Sequence, residues 1–136
     1  MLEDNRDRIA AFQATLTDLS DCELVVWRNA PDMIAECPAQ LVSASLISLD
    51  HDLVPDRGEP DPGDGLQVAK ALAKHSPTCP IILHTTNINR VYSMIRELTD
   101  GGWTTLRVAP SGMGEDWIKT RWFPKVKELL SSAESG

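Results

Sequence analysis

The feature that most constrains the fold is a repeated change in the spacing of apolar residues, from strand-like runs to helical stripes and back, along the whole of a 136-residue chain. Ile9, Phe12 and Leu16 fall at i, i+3 and i+7 and predict a helix over 6–19. Residues 23–27 (ELVVW) read as a strand, and 31–36 as a short helix with Pro31 in its first turn and Asn29 as its cap. A buried strand follows at 45–49 (SLISL), then a Pro- and Gly-rich loop at 54–63. A helix opens at Asp64-Gly65 with Leu66, Ala69 and Leu72 on one side. The pattern then runs strand 80–83, helix 88–98 closed by Gly101-Gly102, strand 104–108, and helix 117–130 with Pro124 interrupting it.

Strands that alternate with helices, joined by connections too long for hairpins, predict βαβ units and a parallel sheet covered on both faces. The expected fold is a single α/β domain over 1–136, with 131–136 as a frayed tail. Only Met1-Leu2 precede the acidic Glu3-Asp4, so the first strand of the sheet is truncated at the N-terminus. A strand so short invites pairing with a second copy of the chain as a homodimer.

Thirteen Lys and Arg stand against twenty Asp and Glu, a net charge of −7, which excludes a module that grips nucleic acid through a basic stripe. No apolar run is long enough to span a bilayer, and the acidic start has no signal-peptide layout, so a cytoplasmic protein is expected. Cys22, Cys37 and Cys79 share no CxxC spacing and read as buried reduced thiols.

Ligands of open α/β sheets gather beyond the carboxyl ends of the strands. Polar residues begin at those ends: Glu3-Asp4-Asn5, Asp50-His51-Asp52, His84-Thr85-Thr86-Asn87 and Ala109-Pro110-Ser111. Glu3, Asp4, Asp50 and Asp52 would crowd carboxylates into one crevice, which raises their pKa values or demands a cation. Hard oxygen donors suit Mg²⁺, and added imidazoles shift the preference toward Mn²⁺. No organic cofactor is expected. His84 is the first candidate for an acid or base, with His51 its complement beside Asp50. Thr85, Asn87 and Arg90, at the opening of the next helix, are candidates for holding a phosphate; a capping Asn and a surface Arg explain the last two equally well.

Leu2-Glu3-Asp4-Asn5-Arg6, Leu49-Asp50, Asp64-Gly65-Leu66 and Val108-Ala109-Pro110 resemble the response-regulator receiver fold, a flavodoxin-like three-layer sandwich. That resemblance makes Glu3 and Asp4 the acidic pair, Asp50 the phospho-acceptor and Thr85 or its neighbour the hydroxyl position. Ala109 stands where receivers carry a Lys before Pro. Ser48-Leu49-Asp50-His51-Asp52-Leu53, Gly63-Asp64-Gly65, Ile82-Leu83-His84-Thr85-Thr86-Asn87 and then Met94 are similar to a narrower family, the cyclic-phosphate-processing receiver-like domains, with Thr85 where its members usually have Ser. The resemblance runs from Leu2 to about Leu98. It implies a metal-assisted phosphoesterase acting on a cyclic phosphate, either a small nucleotide or a nucleic-acid end. The alternative is a module for signalling or interaction, either phosphorylated on Asp50 or in a degenerate form that only binds a partner.

Overall fold

The computed structural model describes residues 1–135. Three parallel strands, β1 (Ile47–Leu49), β2 (Ile81–Leu83) and β3 (Thr105–Arg107), lie in that order. The sheet extends past β1. Leu2 bridges Leu49 on one side and Trp27 on the other, both in parallel. The backbone bonds Leu2 N to Ser48 O (3.0 Å), Asp50 N to Leu2 O (3.1 Å) and Glu3 N to Trp27 O (3.0 Å) tie these segments together. The first segment therefore sits between the second and third, the doubly wound order 2-1-3-4-5. Its shortness is as expected from the sequence, and it still occupies the central position.

The run 23–27, expected as a strand, makes only the bridge at Trp27, because the two or three residues opposite it cannot support a longer ladder. The strand expected over 104–108 contracts to Thr105–Arg107.

Side chains alternate along a strand, so the sheet has two apolar layers. Leu2, Leu49, Ile81 and Leu83 face α2 (Ala30–Glu36), α3 (Gly65–Leu72) and α4 (Ile88–Asp100). Met1 and Ile82 face α1 (Arg6–Leu16) and α5 (Phe123–Ser135). Val91, Met94 and Leu98 of α4 are fully buried, and each such side chain contributes about 1.5–3 kcal/mol.

The helix starts follow the sequence. Asn5, Asn29, Asp64 and Asn87 each cap a helix by accepting the N–H three residues on, and Gln67 completes a capping box with Asp64. α1 stops at Leu16 rather than at 19. Before α5 the chain makes a π-helical turn, Ile118–Trp122, closed by Phe123 N donating to Ile118 O. Pro124 has no N–H for the Thr120 carbonyl and its ring crowds that position, so the turn widens instead of breaking. Ser131 to Ser135, expected as a tail, continue α5; Gly136 lies outside the described residues. Cys37 is buried, but Cys22, expected to be buried, is exposed, since it lies in the loop before the sheet. Among the described residues no helix is long and apolar enough to cross a membrane.

One glycine matters to the site. A Cβ on Gly65 would fall 2.0 Å from the Asp50 carbonyl oxygen. Only a hydrogen there lets α3 pack directly against the end of β1.

Candidate functional site

The strand register builds the site. Leu2 is paired with Leu49, and Leu49 with Leu83. One residue further along, Glu3, Asp50 and His84 stand side by side on neighbouring strands. Two-residue alternation turns all three toward α1 and α5. Each offers a ligand atom, and these atoms lie within 4.8 Å of one another. Glu3 and His84 are 0% exposed and Asp50 is 5% exposed. The site lies at the carboxyl end of the sheet, where the strand order reverses.

Each carboxylate has defined partners. Glu3 Oε2 accepts the N–H groups of Asp4 and Asn5, both at 3.1 Å, and Oε1 meets His84 Nε2 at 3.2 Å. Asp50 Oδ1 accepts the N–H of His51 at 2.7 Å. Arg8, on α1, approaches Glu3 Oε1 at 3.7 Å and Asp50 Oδ2 at 3.9 Å, with its guanidinium 5.5 Å from the Trp117 ring centre. These are long contacts, so one partly exposed guanidinium neutralises two buried carboxylates only incompletely.

The electrostatics follow. Burial and the Glu3 charge push the Asp50 carboxyl up to about 8. Glu3 itself is held below its ordinary value: its bonds to His84 and the backbone outweigh the opposing effect of burial. Burial lowers His84, which is therefore a neutral imidazole near pH 7. Its Nδ1 lies 2.7 Å from Ser48 Oγ, and Ser48 Oγ accepts the Trp122 indole N–H at 3.0 Å. Phe12 and Trp117 pack against the ring at centroid distances of 5.3 and 6.2 Å.

The remaining residues singled out in the sequence separate from this cluster. Asp4 turns the other way: its Oδ2 accepts the Val54 N–H at 2.6 Å and helps tether the 54–63 loop, which Asp56 also ties to Arg6 and Arg28. Burial raises Asp4, as does the neighbouring Glu3. His51 and Asp52 form a second group toward α3 and α4. His51 Nδ1 is 2.6 Å from Asp52 Oδ1, and its buried Nε2 has no hydrogen-bond partner among the described residues, lying 3.9 Å from Asp64 Oδ2. Asp52 is held low by its bond to His51. Asn87 spends both ends of its amide, donating to Asp52 at 3.1 Å and capping α4. Thr85 Oγ1 accepts the Asn87 N–H at 3.1 Å, and Arg90 is exposed nearby. The expected four-carboxylate set thus divides: Glu3 and Asp50 converge, whereas Asp4 and Asp52 have other partners.

Arg8, Ser48 and Trp122 were missed in the sequence. For Ser48 a signal existed, a hydroxyl inside a buried strand with the same parity as Asp50. Arg8 lies three residues beyond the Asn5 cap, on the first turn of the helix that leaves Glu3. Nothing local marks Trp122, because it arrives from 74 residues away.

Residues 1–100 match the family described as the cyclic-phosphate processing receiver domain. The chain belongs to that family. No curated protein matches its sequence significantly. Solved receivers share the fold. The signal receiver domain of a modulated diguanylate cyclase from Desulfovibrio desulfuricans G20, described as an example of alternate folding, superposes with a TM-score of 0.63 at 16% identity, covering 98% of this chain and 92% of that one. The isolated receiver domain of RcsB from Salmonella enterica serovar Typhimurium, solved in the presence of the phosphomimetic BeF3-, gives 0.62 at 20% identity, over 96% and 85%. RcsB from Salmonella typhimurium gives 0.63 at 18% identity, with 97% of this chain matching 58% of that one. The family match stops before the Trp-rich C-terminal segment.

Proposed function

We propose that this domain is a metal-assisted phosphoesterase acting on a cyclic phosphate, carried by a nucleotide or by a nucleic-acid end. One observation carries the reading: two buried carboxylates, Glu3 and Asp50, converge at the switch point of the sheet, and among the described residues Arg8, at 3.7 and 3.9 Å, is the one Lys or Arg that balances them. A divalent cation supplies the missing charge, and hard oxygens suit Mg²⁺ or Mn²⁺. Glu3 and Asp50 would hold it. When bound, the ion would draw charge from the phosphoryl oxygens, which an acidic chain of net charge −7 otherwise repels.

Opening a cyclic phosphate also needs a proton for the departing ribose oxygen and contacts that hold the phosphoryl group. His51 is the imidazole with a nitrogen to spare: Asp52 orients its Nδ1 side and its Nε2 is unpaired. We assign it the proton transfer. His84, engaged at both nitrogens, holds Glu3 in place. Thr85, whose hydroxyl keeps its own proton to donate, and Arg90 contact the phosphate; Asn87 shapes the rim.

The test is turnover of 2′,3′-cyclic mononucleotides with and without Mn²⁺. Metal-dependent hydrolysis is expected, with a loss of roughly 100-fold or more in His51→Gln, within the range of general acid–base catalysis. Failure of the wild-type protein to turn over any of them, or undiminished turnover in His51→Gln, would remove the catalytic reading.

A second reading takes Asp50 as a phospho-acceptor. Its place at the end of a central strand beside Glu3, with Thr85 ending the next strand, favours it; Ala109 in place of a Lys weighs against it. A mass increase of one phosphoryl group after acetyl phosphate treatment, absent in Asp50→Asn, would support this alternative.

A further inference from the structure

We propose that Trp122 and Ser48 are positioning residues for the acidic site, and that they act by presenting His84 to Glu3 as a hydrogen-bond donor. The four groups form one buried chain. The Trp122 indole N–H donates to Ser48 Oγ at 3.0 Å, Ser48 Oγ lies 2.7 Å from His84 Nδ1, and His84 Nε2 lies 3.2 Å from Glu3 Oε1. The direction of the chain follows from what each group can do. An indole nitrogen only donates, and a hydroxyl has one proton to give. The Ser48 hydroxyl can accept twice, but its one proton has no acceptor among the described residues other than His84 Nδ1, so it turns there. A neutral ring that accepts at Nδ1 carries its hydrogen on Nε2, which faces the acceptor-only Glu3 carboxylate. Both ends of the chain therefore select the same tautomer.

This arrangement changes what His84 does. Ligation of a cation through Nε2 would require moving the proton to Nδ1, against a hydroxyl that is already donating there. His84 is then a positioning residue, and the cation reading loses one nitrogen donor and keeps the two carboxylates. The C-terminal segment gains a role by the same reasoning. Trp117 and Trp122 are five residues apart, a spacing that a regular helix places about 140° apart at 3.6 residues per turn. The π-helical turn between them brings both indoles into the layer that covers His84.

The experiment is nitrogen NMR of the histidine rings in the full chain, without metal and with Mg²⁺, beside Mg²⁺ affinity measured by calorimetry. The chain has three histidines, so substituting His51 and His75 in turn assigns the signals. His84 is expected to show a protonated Nε2 and a hydrogen-bonded, unprotonated Nδ1, unchanged by Mg²⁺. In Ser48→Ala the Nδ1 signal should move to that of an unbonded nitrogen, and Mg²⁺ affinity should fall roughly tenfold, the lower end of what loss of a ligand-orienting partner costs. Ser48→Thr should restore both. Trp122→Phe, which removes the N–H and keeps a ring, should move both in the same direction by less. A proton on Nδ1, a metal-shifted Nε2, or a Ser48→Ala protein with unchanged signals would overturn the proposal. The Mg²⁺ measurements rest on the cation reading above and the ring signals do not, so a wild-type protein that binds no Mg²⁺ removes that reading while the NMR still decides the chain.

Discussion

Replacing Asp50 with Asn is expected to make the metal-free protein more stable than the wild type, by an amount that grows with pH. The carboxyl ordinarily titrates at 3.8 and is pushed up to about 8 in the fold. Between those values the folded protein keeps a proton that the unfolded chain gives up. Stability from this group is therefore full below 3.8 and is lost as pH rises toward 8. At 1.36 kcal/mol per unit, the loss is on the order of several kcal/mol by pH 8. Asn keeps an oxygen for the His51 N–H and sets a neutral amide beside Glu3. The Met1 amine, lowered to about 5 by burial, has the opposite slope over much of the same range. The quantity to read is thus the difference between variant and wild type in urea unfolding at pH 5 and pH 8. The gap should be small at pH 5 and several kcal/mol at pH 8. A pH-independent difference would show that Asp50 is not held protonated.

The opposite sign is expected for His84→Ala. The imidazole fills space against Phe12 and Trp117 and bonds both Ser48 and Glu3 with no exposure of its own. Removing it leaves a cavity and takes a partner from a buried carboxylate, a loss of about 3–5 kcal/mol. For a chain of this size that lowers Tm by roughly 10–15 °C. Glu3 is held below 4.5 by His84 among others, so its stabilisation is present above 4.5 and lost as pH falls. Without His84 that carboxylate favours its protonated form. The deficit should be largest at neutral pH and shrink toward pH 4 in thermal melts. A melting temperature equal to that of the wild type would mean that His84 is not packed as described.

These two residues illustrate what the sequence made legible. The element order, the helix caps at Asn29 and Asp64 and the polar strand ends all follow from local chemistry, so they could be read directly. Asp50 and His84 each follow a buried strand, which by itself predicts one crevice for both. Choosing Glu3 over Asp4 as their partner required the register of Leu2 against Leu49, which is fixed by backbone bonds between distant segments. The same register sends His51 to the opposite face from Asp50. Pro124 predicts an interruption because a proline removes one helical bond; the widened turn that absorbs it shows only in the folded backbone. The β-rich composition of 23–27 predicts a strand but says nothing of how few residues lie opposite it.

Ser48 shows the limit most clearly. A serine within an apolar run looks like a tolerated small residue. Its function in the fold appears only when an indole and an imidazole from remote segments meet its hydroxyl.

Metal-assisted chemistry at this crevice requires Glu3 and Asp50 to hold the cation together. The most direct test is a crystal soaked in Mn²⁺ and inorganic phosphate, with data collected at the manganese absorption edge. An anomalous peak at coordination distance from carboxylate oxygens of both Glu3 and Asp50, with His84 still bonded to Glu3, is the predicted result. A peak elsewhere, or a fully occupied site that touches neither carboxylate, would contradict it.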